Sequence, residues 1–210
     1  MPDRNGRYTV TDLLALQKKF ILSHLKEGDV CADFTMGNGH DTLFLSQTVG
    51  QGGKVYAFDI QPMALESTRA RLESEGAPQN YTLINDSHSN LSLYINEKIK
   101  AGMFNLGYLP GSGNKQITTM RETTIPAVLG AIDLLDKHSI LLVAVYPGHD
   151  EGDKEGVELE AIFDKIDRHA LSVMKVKIIN SPTSPFFFVL ETGKQSIEEY
   201  KSSYGTIFEK

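Results

Sequence analysis

Short runs of β-branched and apolar residues alternate along the chain with longer stretches whose apolar positions recur at helical spacing. The runs occupy residues 30–34, 54–58, 81–84, 103–108, 139–145, 171–179 and 186–190. Helix-length segments separate the first five. That alternation predicts βαβ units and a parallel sheet whose central strands are buried on both faces. A first helix is expected over 11–26, capped by Thr11 and turning Leu13, Leu16, Phe20 and Ile21 to one side. Others are expected at 40–49, at 61–75 with Pro62 in the first turn, at 87–97, at 118–135 and at 151–169. Pro126 should kink or divide the fifth.

The end of the chain breaks the pattern. Only Asn180 to Pro185 separate the last two runs, too few residues for the crossover helix that parallel neighbours need. The predicted fold is a doubly wound α/β domain with a mostly parallel sheet, a six-stranded parallel start closed by an antiparallel last pair. Residues 150–169 hold eight acidic and three basic side chains and read as a solvated helix face. The stretch after Gly193 is polar and expected to be peripheral. No repeat or linker marks a second unit, so 1–210 is read as one domain with an N-terminal helix and a short polar tail.

Composition narrows the function classes. An apolar fraction of 40% and a charged fraction of 23% over 210 residues are those of an ordinary folded chain. The formal charge of −6 argues against a protein that coats nucleic acid non-specifically, while permitting a local basic patch. Cys31, the sole cysteine, sits in a strand-like run and is expected in the core. One cysteine excludes an internal disulfide and a thiolate cluster, and no H-x-x-x-H pair suggests a zinc site, so no metal is expected. The polar opening segment does not read as a signal peptide, and the most apolar stretch, 125–135, is interrupted by Pro126 and Asp133. A cytoplasmic protein without a membrane span is the expectation.

The chemistry gathers at the ends of the predicted strands. Asp33-Phe34-Thr35-Met36-Gly37-Asn38-Gly39-His40-Asp41-Thr42 leads from the first strand through a glycine turn into a helix, the adenosine-binding arrangement of open α/β sheets. The spacing is not G-x-G-x-x-G, and Asp33 precedes the glycines; a carboxylate there repels a pyrophosphate and attracts an amino acid's ammonium group. Asp59 ends the second run, where it can accept ribose hydroxyls, and Asp86 follows the third, in reach of an adenine amino group. Asp59 alone does not separate a nicotinamide cofactor from S-adenosylmethionine.

Together with Asn105-Leu106-Gly107-Tyr108-Leu109-Pro110-Gly111 and Tyr146-Pro147-Gly148-His149-Asp150-Glu151-Gly152, these stretches resemble the tRNA 5-(aminomethyl)-2-thiouridine methyltransferase (MnmM, YtqB-like) family. That is a bacterial group formerly labelled rRNA methylases, within the class I Rossmann-like methyltransferases. The resemblance spans most of residues 9–192. It implies seven strands with the last antiparallel, S-adenosylmethionine as cofactor, the tRNA anticodon region as partner, and a homodimer. The cofactor set it implies is Asp33, Thr35, Gly37, Asn38, Gly39, Asp41, Thr42, Asp59, Gln61, Asp86, Ser87 and His88. The implied reaction methylates the aminomethyl nitrogen of wobble-position 5-aminomethyl-2-thiouridine, giving 5-methylaminomethyl-2-thiouridine.

The run after the fourth strand should face the reacting methyl. Amino-methylating enzymes often carry Asp/Asn-Pro-Pro-Tyr/Phe there; this chain keeps Asn105 and Tyr108 with Leu106-Gly107 between them. An aliphatic amine, with a pKa of roughly 10, must first lose a proton to expose its lone pair. Asn105, Tyr108 and His149 are the catalytic candidates, and Tyr146 joins them in the acceptor pocket. Lys115 and Arg121 are better placed than Arg4 or Arg7 to meet RNA phosphates. Three other readings compete: a same-fold methyltransferase acting on rRNA or a small molecule, a nicotinamide-dependent oxidoreductase, and a non-catalytic adenosyl- or RNA-binding protein.

Overall fold

The computed structural model describes residues 12–107, 119–147, 150–181 and 183–209, the side chains of 150 and 151 excepted. The strands are β1 (Val30–Asp33), β2 (Lys54–Phe58), β3 (Tyr81–Ile84), β4 (Ile99–Leu106), β5 (Leu135–Val145), β6 (Ser172–Val176) and β7 (Phe186–Glu191). They form one seven-stranded sheet in the order β3-β2-β1-β4-β5-β7-β6. Pairing is parallel from β3 across to β5, while β7 runs antiparallel to both β5 and β6. The expected topology is therefore the observed one. The chain winds outward from β1 through β2 to β3, then returns beside β1 as β4, which makes the β1/β4 crevice the switch point where open sheets hold ligands.

The helices are α1 (Leu13–Leu22), α2 (His40–Val49), α3 (Pro62–Ser74), α4 (Arg121–Asp133), α5 (Asp150–Phe163) and α6 (Ile197–Tyr204). One face of the sheet packs Cys31, Val55, Met103 and Leu142 against Ile21 of α1 and Leu45 and Val49 of α2. The other buries Phe34, Phe58, Phe104 and Val143 with Ala127 and Ala131 of α4 and Phe163 of α5. Phe34 lies between Phe58 and Phe104, its ring centroid 5.8 Å and 4.4 Å from theirs, an aromatic stack beneath the strand ends.

Several expectations need correction. Thr11 lies outside the described residues, and Asp12 caps α1, its carboxylate accepting the Leu14 and Ala15 amides. Residues 87–97 form only a 3-10 turn, His88–Leu93. The Ser87 side chain accepts the Ser89 amide and Asn90 departs from helical angles, the competition such side chains offer to helical backbone bonding. Strand β4 begins at Ile99, four residues before the apolar run, because Lys98 and Lys100 at its start carry their amines out to Asp133 and Lys137 carbonyls. Strand β5 likewise starts early, across an irregularity at which His138 takes a positive φ of 51°. Pro126 sits inside a single helix without dividing it.

The polar tail is also part of the core. Ser196 and Glu199 make a reciprocal capping box for α6, and Ile197, Tyr200 and Ile207 are buried. Within the acidic stretch read as solvated, Glu155 is completely buried and accepts the hydroxyls of Thr119 at 3.0 Å and Thr124 at 2.7 Å. No helix among the described residues is long and apolar enough to cross a membrane.

Candidate active site

Parallel pairing brings the ends of β1, β2, β3 and β4 to one edge, and with them Asp33, Asp59, Asp86 and Asn105. Asp33 is the innermost. It has no exposed surface, and its oxygens accept the Thr35 amide at 3.1 Å and the Thr42 hydroxyl at 2.7 Å. Burial, then the nearby charge of Asp41, raises its pKa from 3.8 to about 7, against the lowering effect of those two hydrogen bonds. The carboxyl therefore ties the start of the glycine turn to the first turn of α2.

The turn itself is held from outside by α3. Thr68 donates its hydroxyl to the Gly37 carbonyl, Arg71 donates to the Asn38 carbonyl at 2.6 Å, and Ser67 donates to the Asn38 side chain. Gly37 and Gly39 both adopt positive φ, 50° and 78°. At Gly39 a Cβ would lie 2.9 Å from the Thr68 Cα, so this glycine is required by the packing of α3 before any ligand is considered. Ser67, Thr68 and Arg71 were not singled out from sequence, and a lone polar helix face carries no signal that would mark them.

Asp59 closes the far side of the turn. Oδ2 accepts the Gly37 amide at 3.1 Å and Oδ1 accepts the Gln61 amide at 2.9 Å. A carboxylate has about four acceptor positions, so with the Gly37, Gln61 and Ile60 amides around it Asp59 keeps room for a further donor. Burial raises its pKa, opposed by these backbone bonds. Asp86, half-buried, accepts from Ser87, Asn90 and the Tyr94 hydroxyl, and those bonds, the Tyr94 hydroxyl foremost, lower its pKa. His88 is buried with Nδ1 3.2 Å from the Phe34 carbonyl. Burial lowers its pKa to about 4, so the ring is neutral, Nδ1 carries the proton, and Nε2 is an acceptor with no protein partner among the described residues.

Across the switch point, the Asn105 amide N–H of the backbone donates to the Thr35 hydroxyl at 2.7 Å, fastening β4 to the glycine turn. Its side-chain Nδ2 donates to Asp41 at 2.8 Å. Asp41 can only accept, which fixes the orientation of the amide and leaves Oδ1 buried with no partner among the described residues. Tyr146, beyond the end of β5, is half-buried; burial and then Asp41 raise its pKa. Asn105, Tyr146 and the turn thus meet around Asp41. Arg121 opens α4 with Nη1 3.5 Å from Glu158. Tyr108, Lys115 and His149 lie outside the described residues, as do Arg4 and Arg7.

A depression of about 440 Å³ lies at the opposite edge of the sheet, lined by Val30, Gly53, Lys54, Asn80 and Glu97. The donor set at the strand ends fits an S-adenosyl ligand. Asp59 keeps acceptor capacity for a ribose hydroxyl, and the Asn105 oxygen and His88 nitrogen are buried acceptors with no protein partner among the described residues.

Comparison with known proteins agrees with the geometry. Residues 55–191 match the family model described as "Putative rRNA methylase". A crystal structure of a "putative rRNA-methylase" from Clostridium thermocellum superposes with a TM-score of 0.84 at 38% identity, covering 88% of this chain and 99% of that one. A "putative methyltransferase" from Streptococcus mutans, solved in complex with SAH, superposes with a TM-score of 0.79 at 34% identity, covering 87% and 99%. The chloroplastic tRNA (mnm(5)s(2)U34)-methyltransferase of Arabidopsis thaliana is 36% identical over 171 residues, 77% of this chain. The chain spans 62% of that relative's length. With a Rossmann-like sheet, carboxylates at successive strand ends and a homologue that holds S-adenosylhomocysteine, the chain belongs to the family described as "Putative rRNA methylase" and is an S-adenosylmethionine-dependent methyltransferase.

Proposed function

We propose that the protein methylates RNA, and that its acceptor is the aliphatic amine of 5-aminomethyl-2-thiouridine at the wobble position of tRNA. The observation that carries this reading is the Asn105 amide, turned by Asp41 so that a buried carbonyl oxygen is left without a donor. An amine nitrogen supplies that donor: one N–H held by Oδ1 steers the lone pair away from the oxygen and toward the methyl. The Arabidopsis relative is named for this modified wobble nucleoside, which supports the choice of tRNA over the ribosomal RNA of the family description.

In this reading the donor supplies an electrophilic methyl when bound. Asp59 takes a ribose hydroxyl with its remaining acceptor capacity. The methionyl end lies along the Asp33–Thr42 turn, whose path the buried Asp33 carboxyl fixes through the Thr35 amide and the Thr42 hydroxyl. Asp86, Ser87 and His88 border the adenine. Asn105 orients the amine and Tyr146 packs the nucleobase; catalytic roles for Tyr108 and His149 rest on the family resemblance. Alignment of the nitrogen lowers the entropic part of the barrier, and a half-buried pocket disfavours the ammonium form that lacks a lone pair. With an acidic chain overall, Lys115 and Arg121 would grip a local stretch of anticodon phosphates. Incubation with labelled donor and separate pools of tRNA and ribosomal RNA tests the reading: label is expected in tRNA, and label confined to ribosomal RNA would overturn it.

A further inference from the structure

Asp41 belongs by sequence to the turn assigned to the donor, yet its contacts lead to the acceptor side. Oδ2 takes the Asn105 side-chain N–H at 2.8 Å, and Oδ1 lies 3.5 Å from the Lys18 amine on α1. Its charge reaches Tyr146 after β5 and Asp33 at the end of β1. Its own side chain is mostly buried, 18% exposed. Asp41 thus links the β1 turn to β4 by a hydrogen bond and to Tyr146 by its charge.

This position has two chemical consequences. An asparagine amide is nearly symmetric in shape, and its two ends do opposite things: the oxygen accepts and the nitrogen donates. Reversed, Asn105 would present N–H groups to an amine that also brings N–H groups, and the contact would be lost. A carboxylate partner forbids the reversal, because it has no hydrogen to give. The second consequence is electrostatic. As the nitrogen lone pair forms the N–CH3 bond, the methyl carbon's bond to sulfur breaks and its electron pair stays on sulfur. Positive charge thereby moves onto the nitrogen, and a proton later leaves that nitrogen for solvent. A mostly buried carboxylate one side chain away favours that charge as it develops.

We infer that Asp41 is a positioning residue for methyl transfer, holding the Asn105 amide with its oxygen toward the incoming amine and offsetting the positive charge that appears on the nitrogen. The inference rests on the reading of the acceptor as an aliphatic amine. Lys18, 37% exposed across from Asp41, balances the carboxylate before substrate arrives, through a contact that solvent screens.

The test uses Asp41→Ala, Asp41→Asn and Asn105→Ala in the full chain. Three quantities are measured: S-adenosylhomocysteine affinity by calorimetry, kcat and KM with the RNA acceptor, and the Asn105 side-chain amide resonance, identified by its loss in Asn105→Ala. Asp41→Ala should lower kcat by about 100-fold, the scale of a misplaced reacting group, with donor affinity changed less than about threefold, and should shift the Asn105 amide resonance. Asp41→Asn, whose own carbonyl can still accept from Asn105, should keep the resonance near its wild-type position and recover part of the lost kcat. Adding Asp41→Ala to Asn105→Ala should cost little more than Asn105→Ala alone, since the two act as a unit. An unchanged kcat, a loss shared equally by kcat and donor affinity, or multiplying effects in the double variant would overturn the inference. If Asp41→Ala does not unfold cooperatively, Asp41→Asn carries the test by the same kcat and affinity criteria. Failure of the wild-type protein to methylate tRNA would instead defeat the proposed substrate, while the resonance still reports whether Asp41 locks Asn105.

Discussion

Replacing Asp33 with Asn separates the charge of the innermost carboxyl from its shape. An asparagine oxygen can accept the Thr35 amide, and its nitrogen can donate to the Thr42 hydroxyl, so both partners remain satisfied. What disappears is a titration. In the folded protein the Asp33 pKa is about 7 against an ordinary 3.8. Below about pH 4 the group is protonated in both folded and unfolded chains and contributes no difference. Between about pH 4 and 7 the folded chain keeps a proton that the unfolded chain has released. Stability therefore falls as pH rises, by about 1.4 kcal/mol per pH unit and about 4 kcal/mol in all.

His88 runs the other way over part of that range. Burial lowers its pKa from 6.5 to about 4, so its stabilising contribution is complete above about pH 6.5 and is lost as pH falls toward about 4. In the wild-type protein the two slopes nearly cancel across that interval. Asp33→Asn leaves only the His88 slope. The stability of the variant minus that of wild type should grow by about 2.5 kcal/mol between about pH 5 and 8, or roughly 5–10 °C in melting temperature for a chain of this size. Scanning calorimetry of the ligand-free proteins across that range measures it. Parallel pH curves for the two proteins would refute the assignment of a buried, proton-retaining carboxyl to Asp33.

Two further expectations concern the cofactor turn. Asp59→Ala should weaken S-adenosylhomocysteine binding by about 100-fold, the worth of one or two charge-assisted hydrogen bonds, while unfolding stays cooperative; unchanged binding would remove the ribose role. Gly39→Ala should cost about 2–4 kcal/mol from positive φ and the collision with Thr68, whereas Gly28→Ala, at a φ of 87° with open space around it, should cost only about 1 kcal/mol. Equal losses in denaturant melts of the two variants would contradict the packing role of α3.

The parts of the fold that showed in the sequence are those where one physical effect dominated. Central strands such as 139–145 are buried on both faces and read as continuous apolar runs. The six-residue link before Phe186 permits only an antiparallel return. Where two effects compete, the pattern misleads. Lys100 belongs to a strand, and Lys98 abuts it, because their long stems carry the charge outward, and Ser87, Ser89 and Asn90 spoil a helix that hydropathy alone would allow. Ile197, Tyr200 and Ile207 are too sparse among polar neighbours to announce a buried tail. The site divided in the same way. Glycines and strand-end carboxylates announce a nucleoside site through local spacing, but the Asp41–Asn105 bond joins residues 64 apart, and no local pattern carries it. Glu155 was hidden for the opposite reason, a buried carboxylate among exposed ones that differs only in the threonines it meets.

The account turns on which atom receives the methyl. Wild-type protein should be incubated with labelled S-adenosylmethionine and tRNA carrying 5-aminomethyl-2-thiouridine at the wobble position, and the digested nucleosides resolved by mass spectrometry. That nucleoside should be converted to 5-methylaminomethyl-2-thiouridine, with the label on the side-chain nitrogen and conversion sharply reduced in Asn105→Ala at saturating donor. A methyl found on a ring atom, on ribose or on ribosomal RNA, with the wobble amine untouched, would contradict it.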